Sequence, residues 1–114
     1  SPLAYAVCVE QATEPPFSGE DQSGGKKGIY RCVCCQSHLF STEHKFESYS
    51  GWPSFFQPVS DAVLSYHQDE KLSRPRTEIK CSTCEAHLGH VFPDGPLPTG
   101  MRYCVNSVAL SFQD

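Results

Sequence analysis

The stretch RYCVNS, residues 102–107, contains a candidate catalytic cysteine, which has a polar residue two positions away on either side. Successive side chains of a strand alternate faces, so Arg102, Cys104 and Asn106 are expected to point the same way. A cation beside a thiol favours the thiolate, which is the reactive nucleophile. The pattern therefore predicts a nucleophilic Cys104. The structural alternatives are a small core cysteine and a surface arginine on an edge strand.

Two histidines, His87 and His90, follow the last closely spaced cysteine pair. Histidine titrates near neutrality and can donate or relay a proton. We expect Gly89 to let the backbone turn between the two rings and Asp94 to orient one of them. Zinc ligation and structural hydrogen bonding are the alternatives for the histidines, and an aspartate before glycine is also an ordinary turn residue.

The only tryptophan, Trp52, lies in a Gly-Trp-Pro turn. A large ring at a turn can form the wall of a pocket for a small apolar group, although core filling is equally compatible with this position. His38, His44 and His67 stand among polar neighbours, and we assign them no role.

Four of the seven cysteines form two Cys-x-x-Cys pairs, Cys32 with Cys35 and Cys81 with Cys84. Each pair can direct both sulfurs at one point, and together they complete the tetrahedron that Zn²⁺ accepts from four thiolates. Such a closed site is structural and contributes on the order of 10 kcal/mol to folding. Disulfides or buried free thiols are the alternatives. Cys34 is a possible substitute for Cys35, although a one-residue gap closes the turn less well.

The chain of 114 residues is expected to form a single monomeric domain, residues 1–114, that benefits from such a metal site. Its net charge of −4 argues against nucleic acid and membrane surfaces as partners. No run approaches the roughly 18 apolar residues of a membrane span, and no charged-then-apolar leader opens the chain. The odd cysteine count and paired spacing favour a reducing intracellular compartment, the cytoplasm first and a mitochondrion or other organelle second.

The elements that position these residues are predicted to form a mainly β fold, a small antiparallel sheet or barrel with a short N-terminal helix. Residues 1–28 are interpreted as an arm and loop. Within them we expect a helix over 4–11 and an exposed loop over 18–28. The predicted strands cover 29–33, 76–80 and 103–112, the predicted loops cover 67–75 and 94–100, residues 84–89 are expected to turn, and 59–66 fits a strand or a short helix.

Several motifs together resemble the methionine sulfoxide reductase B family over nearly the whole chain. They are TEPPFSG at 13–19, GWPSF at 51–55, HLGHVF at 87–92 with DGP at 94–96, RYCVNS at 102–107, and the two cysteine pairs. The resemblance implies a zinc-stapled β-tent fold. It also implies reduction of the R epimer of methionine sulfoxide in oxidised proteins or peptides and more weakly of the free amino acid, with thioredoxin or another thiol as reductant. It makes Cys104 the catalytic cysteine, within a shell formed by Trp52, His87, His90, Asp94, Arg102 and Asn106.

This chemistry needs a thiolate on one side of the sulfoxide and an acid on the other, because protonation of the oxygen makes the sulfur electrophilic. Cys104 would supply the thiolate, His90 or His87 the acid, and Trp52 would hold the methyl group. Cys104 would be left as a sulfenic acid, which returns to the thiol through a disulfide.

One position departs from the family pattern. Many members carry a resolving cysteine directly before the Gly-Trp-Pro turn, where this chain has Ser50. A serine cannot form the disulfide, so Cys8, Cys34 or an external thiol must attack the sulfenic acid. We favour Cys8, because it lies in a terminal segment that is expected to be mobile, whereas Cys34 is held between two cysteines of a pair.

Two other functions are compatible with parts of the pattern. A zinc-ribbon-like module that binds a protein partner through the Trp52 cluster leaves Arg102 and the paired histidines without a role. A zinc hydrolase with His87, His90 and Cys104 as ligands requires an open coordination position.

Overall fold

The computed structural model describes residues 2–10, 12–15, 24–70 and 75–114, and this part of the chain contains one helix and nine strands. The elements are α1 (Pro2–Cys8), β1 (Ile29–Cys32), β2 (His38–Ser41), β3 (Lys45–Phe46), β4 (Ser54–Phe55), β5 (Leu64–Asp69), β6 (Arg76–Cys81), β7 (His87–Phe92), β8 (Arg102–Val105) and β9 (Leu110–Gln113). Short 3₁₀ turns cover Thr42–His44, Asp61–Val63 and Ser107–Ala109. The prediction of a mainly β fold with a short N-terminal helix is confirmed. No helix among these residues is long and apolar enough to cross a membrane.

The strands form two antiparallel sheets. The smaller sheet has the order β2-β1-β9, and the larger has the order β3-β4-β8-β7-β6-β5. Aromatic rings join the sheets: Phe40 of β2 stacks on Phe55 of β4 with ring centroids 4.4 Å apart, and Tyr30 of β1 meets Phe55 edge-on at 5.3 Å. Tyr103 of β8 lies against the same cluster, 6.1 Å from Phe40. Because side chains alternate along a strand, this packing turns Cys104 away from the core.

The predicted continuous strand over residues 103–112 is wrong. β8 ends at Val105, a 3₁₀ turn follows, and β9 belongs to the other sheet, where it pairs with β1. Polar groups cause the interruption, because the Asn106 carboxamide donates to the Leu88 carbonyl and the Glu14 carboxylate accepts from the backbone of Val108. The alternation of side chains that is typical of a strand therefore continues in the sequence across the point where the chain passes from one sheet to the other.

The turn predicted for residues 84–89 ends earlier, since β7 already begins at His87. Gly89 lies inside this strand, and a Cβ atom there would be 2.0 Å from the carbonyl oxygen of Cys104. The close approach of β8 therefore requires the glycine, and the expected backbone turn between the two histidines is wrong.

The remaining predicted elements agree in part. The segment 59–66 contains a 3₁₀ turn followed by β5, and β5 extends into the predicted loop over 67–75. The predicted strands over 29–33 and 76–80 correspond to β1 and β6. Residues 11, 16–23 and 71–74, on which the end of the predicted helix and parts of two predicted loops fall, lie outside the described residues.

Candidate active site

Cys104 lies inside the larger sheet, on the face away from the core. The strand register aligns it with Ser54 of β4 on one side and His90 of β7 on the other, and His90 is in turn opposite Glu78 of β6. Directly paired residues of antiparallel strands have Cβ atoms about 4.5–5.5 Å apart. The sheet therefore places a hydroxyl, a thiol, an imidazole and a carboxylate in one row.

Arg102 holds a positive charge at the sulfur. Its Nη1 donates to Cys104 Sγ at 3.4 Å, while Nε and Nη2 donate to the two carboxylate oxygens of Asp94 at 2.8 and 3.2 Å. These hydrogen bonds lower the pKa of Asp94 and raise that of Arg102 from their ordinary values. The guanidinium also lies 4.4 Å from the centre of the Phe92 ring. Asp94 thus orients Arg102, and the expectation that it orients a histidine is wrong.

Three serine hydroxyls lie on another side of the sulfur. Ser50 Oγ is 3.5 Å and Ser54 Oγ 4.0 Å from Cys104 Sγ, and Ser48 Oγ lies 2.8 Å from Ser50 Oγ and 2.6 Å from Ser54 Oγ. Gly51, at φ 93°, makes the turn that brings the cluster back onto β8. The sequence interpretation treated Ser50 only as a missing cysteine, whereas the structure makes it a direct neighbour of the sulfur.

The N-terminal arm holds Trp52 and Asn106 in place. The Glu14 carbonyl accepts from the Trp52 indole Nε1 at 2.9 Å, and the Glu14 amide donates to Asn106 Oδ1 at 3.0 Å. The Glu14 carboxylate is buried and accepts from Ser107 Oγ and from the backbone N–H of Val108. A single buried residue thereby fixes both side chains. Sequence reasoning missed it, because Trp52 is 38 positions away and Asn106 and Ser107 are more than 90 positions away.

His90 faces Cys104 and is held by a carboxylate from another strand. Its Nε2 lies 2.8 Å from Oδ2 of Asp69, and Arg76 Nη2 donates to the same oxygen at 3.2 Å. Burial lowers the pKa of His90 from its ordinary value, and the hydrogen bond to Asp69 opposes this effect. The sequence interpretation missed Asp69, which it assigned to a charged loop.

His87 lies beside His90 and binds a carboxylate of its own. Its Nδ1 is 2.6 Å from Oε2 of Glu78, and the two imidazole centroids are 5.5 Å apart. Residues three apart on a regular strand point to opposite faces, but the register of β6 and β7 shifts between Ile79 and Lys80. An irregularity of this kind can re-aim a side chain near a site.

A cleft opens above the sulfur. Its lining includes Trp52, His90, Cys104 and Asn106, four of the residues proposed from the sequence, together with Thr13, Arg76, Gly89, Phe92 and Val105. The other three proposed residues are not among the lining residues: Arg102 donates to the sulfur, Asp94 binds Arg102, and His87 contacts His90. The structure therefore assembles a thiol, a fixed cation and an imidazole around one small opening.

The two cysteine pairs come together away from this cleft. Their four sulfurs all lie within 4.8 Å of one another, and the Cys32–Cys84 and Cys35–Cys81 sulfur distances are 3.6 and 3.5 Å. Tetrahedral Zn–S bonds of about 2.3 Å place sulfurs about 3.8 Å apart, so the four thiols fit a metal of this type. The prediction that these four cysteines are positioned to hold one metal ion is confirmed, and four protein ligands are consistent with a structural site.

Matching turns present the two cysteine pairs. The residue after each pair, Gln36 and Glu85, has a positive φ of 66° and 62°, and its N–H donates to the carbonyl of the first cysteine at 2.8 Å. Among the described residues, the side chains whose ligand atoms lie close enough together to hold a metal ion are the four cysteines, so the structure does not support a zinc hydrolase built on His87, His90 and Cys104.

Cys8 and Cys34 share a different surface cavity, which Cys84 also lines. Cys8 is buried in the last turn of α1, which packs on β7 and on the 3₁₀ turn after β8. Burial and the nearby Cys34 raise the pKa of Cys8 to about 12. The expectation of a loosely held Cys8 is therefore wrong, and neither thiol lines the Cys104 cleft.

The comparisons of the sequence with known proteins agree on one family. A sequence profile for the SelR domain matches residues 1–114. The chain is 57% identical over 113 residues to the peptide methionine sulfoxide reductase MsrB of Thioalkalivibrio sulfidiphilus, covering 99% of this chain and 82% of the relative. It is 58% identical over 108 residues to the MsrB of Pasteurella multocida, covering 95% and 83%. The crystal structure of a Mis18 Yippee-like domain has a TM-score of 0.58 at 13% identity, covering 78% of this chain and 97% of that one, which indicates a shared fold alone.

Proposed function

The chain belongs to the peptide methionine sulfoxide reductase MsrB family, and from that premise we propose that it reduces the R epimer of methionine sulfoxide with Cys104 as nucleophile. The observation that carries the proposal is the contact of Cys104 Sγ with Arg102 Nη1 at 3.4 Å, in a cleft that His90 and Trp52 also line. Oxidised proteins or peptides are the proposed substrates, and free methionine sulfoxide is a weaker one.

The reaction transfers one oxygen atom. The Cys104 thiolate attacks the sulfoxide sulfur while its oxygen accepts a proton, and the products are methionine and a Cys104 sulfenic acid. Arg102 stabilises the sulfur anion before attack, and a histidine supplies the proton. A second thiol then attacks the sulfenic sulfur, releases water and leaves a disulfide, which thioredoxin or another dithiol reduces by exchange.

Trp52 and Asn106 are proposed to select the epimer. The indole ring is an apolar wall of the cleft for the methyl group. Two of its polar walls are held by hydrogen bonds, His90 by Asp69 and Asn106 by the Leu88 carbonyl. The cleft is proposed to fix the directions of the methyl group, the oxygen and the incoming thiolate around the tetrahedral sulfur of the sulfoxide. Only one epimer then fits.

The epimer choice is the first testable prediction. We expect incubation with a racemic methionine sulfoxide peptide and dithiothreitol to consume the R epimer and leave the S epimer, as resolved by chiral chromatography. Replacement of Trp52 with alanine is expected to raise KM more than it lowers kcat, because the apolar wall binds the substrate before and during attack. Consumption of the S epimer by the unaltered protein would contradict the proposal.

The catalytic cycle also needs a resolving thiol, which attacks the Cys104 sulfenic acid. We propose Cys8 as the first candidate and Cys34 as the second, and either must approach Cys104 from the cavity that the two share. Because Cys8 is buried in α1, its attack requires the helix to open locally from β7. A direct attack by an external thiol is the remaining route.

Substitutions at positions 8 and 50 test whether Cys8 is the resolving residue. We expect Cys8→Ser to abolish turnover driven by thioredoxin while turnover driven by dithiothreitol persists. The double variant Cys8→Ser with Ser50→Cys should regain thioredoxin-driven turnover, because position 50 already lies 3.5 Å from the Cys104 sulfur. Cys34→Ser tests the second candidate, and thioredoxin-driven turnover should persist in it if Cys8 is the resolving residue. Normal thioredoxin-driven turnover in Cys8→Ser would rule out Cys8 as the resolving residue.

We propose zinc as the ion held by Cys32, Cys35, Cys81 and Cys84. Four thiolates in a closed tetrahedron suit Zn²⁺, which would cross-link the two cysteine turns and take no part in the reaction. We also propose that the protein works as a monomer in a reducing intracellular compartment, the cytoplasm first and a mitochondrion or other organelle second. The odd number of cysteines and the spacing of the two pairs support such a compartment.

A further inference from the structure

We propose that Asp69 is the positioning residue of the reaction, holding the proton of His90 on Nε2 and leaving Nδ1 as the ring atom that exchanges a proton with the substrate oxygen. The inference rests on the proposed function and deepens it, since it assigns one histidine and one ring nitrogen to the acid step. It also gives a role to a buried carboxylate at the end of β5.

The distances support this assignment. Asp69 Oδ2 is 2.8 Å from His90 Nε2, and both residues are 7% exposed. An ionised carboxylate only accepts hydrogen bonds, so the ring nitrogen that faces it carries the proton. In the neutral ring the other nitrogen, Nδ1, then has the lone pair, and in the imidazolium it has the second N–H.

The register supports the choice of His90 over His87. His90 is paired directly with Cys104 across β7 and β8 and lines the cleft, whereas His87 is not among the lining residues and uses Nδ1 to bind Glu78. An acid must reach the oxygen while the thiolate reaches the sulfur of the same group. The two groups must therefore be neighbours on one face of the sheet, and Cys104 and His90 are such a pair.

Charged groups of both signs surround His90. Burial and Arg76 of β6 disfavour its imidazolium, Asp69 of β5 and Glu78 of β6 favour it, and His87 and Cys104 are its titratable neighbours on β7 and β8. Asp69 is in contact with both His90 and Arg76 through the same oxygen. The population of the acid form therefore depends on the charge at Asp69.

The step is balanced as written. The Cys104 thiolate bonds to the sulfoxide sulfur as the proton on Nδ1 of the His90 imidazolium passes to the sulfoxide oxygen. The new Cys104–sulfur bond and the S–O bond of the substrate then both break as the hydroxyl group moves to Cys104, which gives methionine and the sulfenic acid. The substrate sulfur gains two electrons and Cys104 loses two. His90 is left neutral, with its remaining proton on Nε2, and recovers the other proton from solvent.

The kinetic test measures single-turnover formation of methionine by reduced protein across pH. We expect Asp69→Asn to lower the rate at neutral pH by about 100-fold, the scale on which a positioned acid contributes. Removing the carboxylate makes the imidazolium less stable, so the pH above which the rate falls moves downward. Arg76→Gln removes an opposing cation and should move it upward. The control is Asp61→Asn at an exposed site, which should move neither the rate nor the profile.

Nitrogen NMR of the His90 ring tests the same claim without turnover. In the neutral ring of the unaltered protein we expect the proton on Nε2, and in Asp69→Asn a mixture of both tautomers. A proton on Nδ1 in the unaltered protein, or an unchanged pH profile in Asp69→Asn, would overturn the inference. A protein that reduces neither epimer would overturn the proposed function instead, whatever the NMR result.

Discussion

Replacement of Cys104 with serine is expected to abolish reduction of methionine sulfoxide, with a fall in rate of about 1,000-fold or more. A serine hydroxyl is a weak nucleophile near neutral pH without a strong adjacent base, and its oxygen cannot accept the sulfoxide oxygen as a thiolate does. Arg102 and the serine cluster would still surround the position. Single-turnover formation of methionine in the absence of any reductant is the direct measurement, because it isolates the oxygen transfer from recycling.

The fold of this variant is expected to remain intact. Cys104 is half-buried on the face of β8 away from the core, so the substitution removes no core contact. Metal content and the thermal unfolding midpoint should match those of the unaltered protein. Methionine formation at an appreciable fraction of the original rate would mean that another thiol attacks the substrate, and the assignment of Cys104 would be wrong.

Replacement of Cys35 with serine is expected to remove the metal and unfold the protein. A structural zinc site contributes on the order of 10 kcal/mol, which is comparable with the whole stability of a small domain. The four sulfurs join β1 and β6, which belong to different sheets, so their loss disconnects the two sheets at that end. Elemental analysis and thermal unfolding followed by circular dichroism measure both effects, and the analysis also identifies the ion.

The neighbouring cysteine offers a matched control. Cys34 is exposed and lies outside the four-sulfur group, so Cys34→Ser should keep one metal ion per chain and an unchanged unfolding midpoint. Loss of metal from Cys34→Ser, together with retention of metal in Cys35→Ser, would mean that Cys34 and not Cys35 is the ligand. Removal of the metal from the unaltered protein by a strong chelator should reproduce the unfolding seen in Cys35→Ser.

The sequence by itself predicted the parts of the site that depend on spacing. Arg102 and Cys104 share a strand face because side chains alternate, and their contact at 3.4 Å follows from that rule. The two Cys-x-x-Cys turns have a geometry set by four consecutive residues, so their ability to bind one metal was predictable as well. The GWPSF, HLGHVF and RYCVNS motifs, taken together, are enough to indicate the family from the sequence.

Only the tertiary structure revealed the groups that hold these residues in place. Asp69 binds His90 across 21 positions, Glu14 binds Asn106 across 92, and Asp94 turns out to bind Arg102 where a histidine had been expected. The break after β8 also depends on contacts between residues far apart in the sequence, because buried polar partners there interrupt the local alternation of side chains. Periodicity and spacing record short-range geometry, whereas the partner of a buried charge is decided by which strands lie side by side.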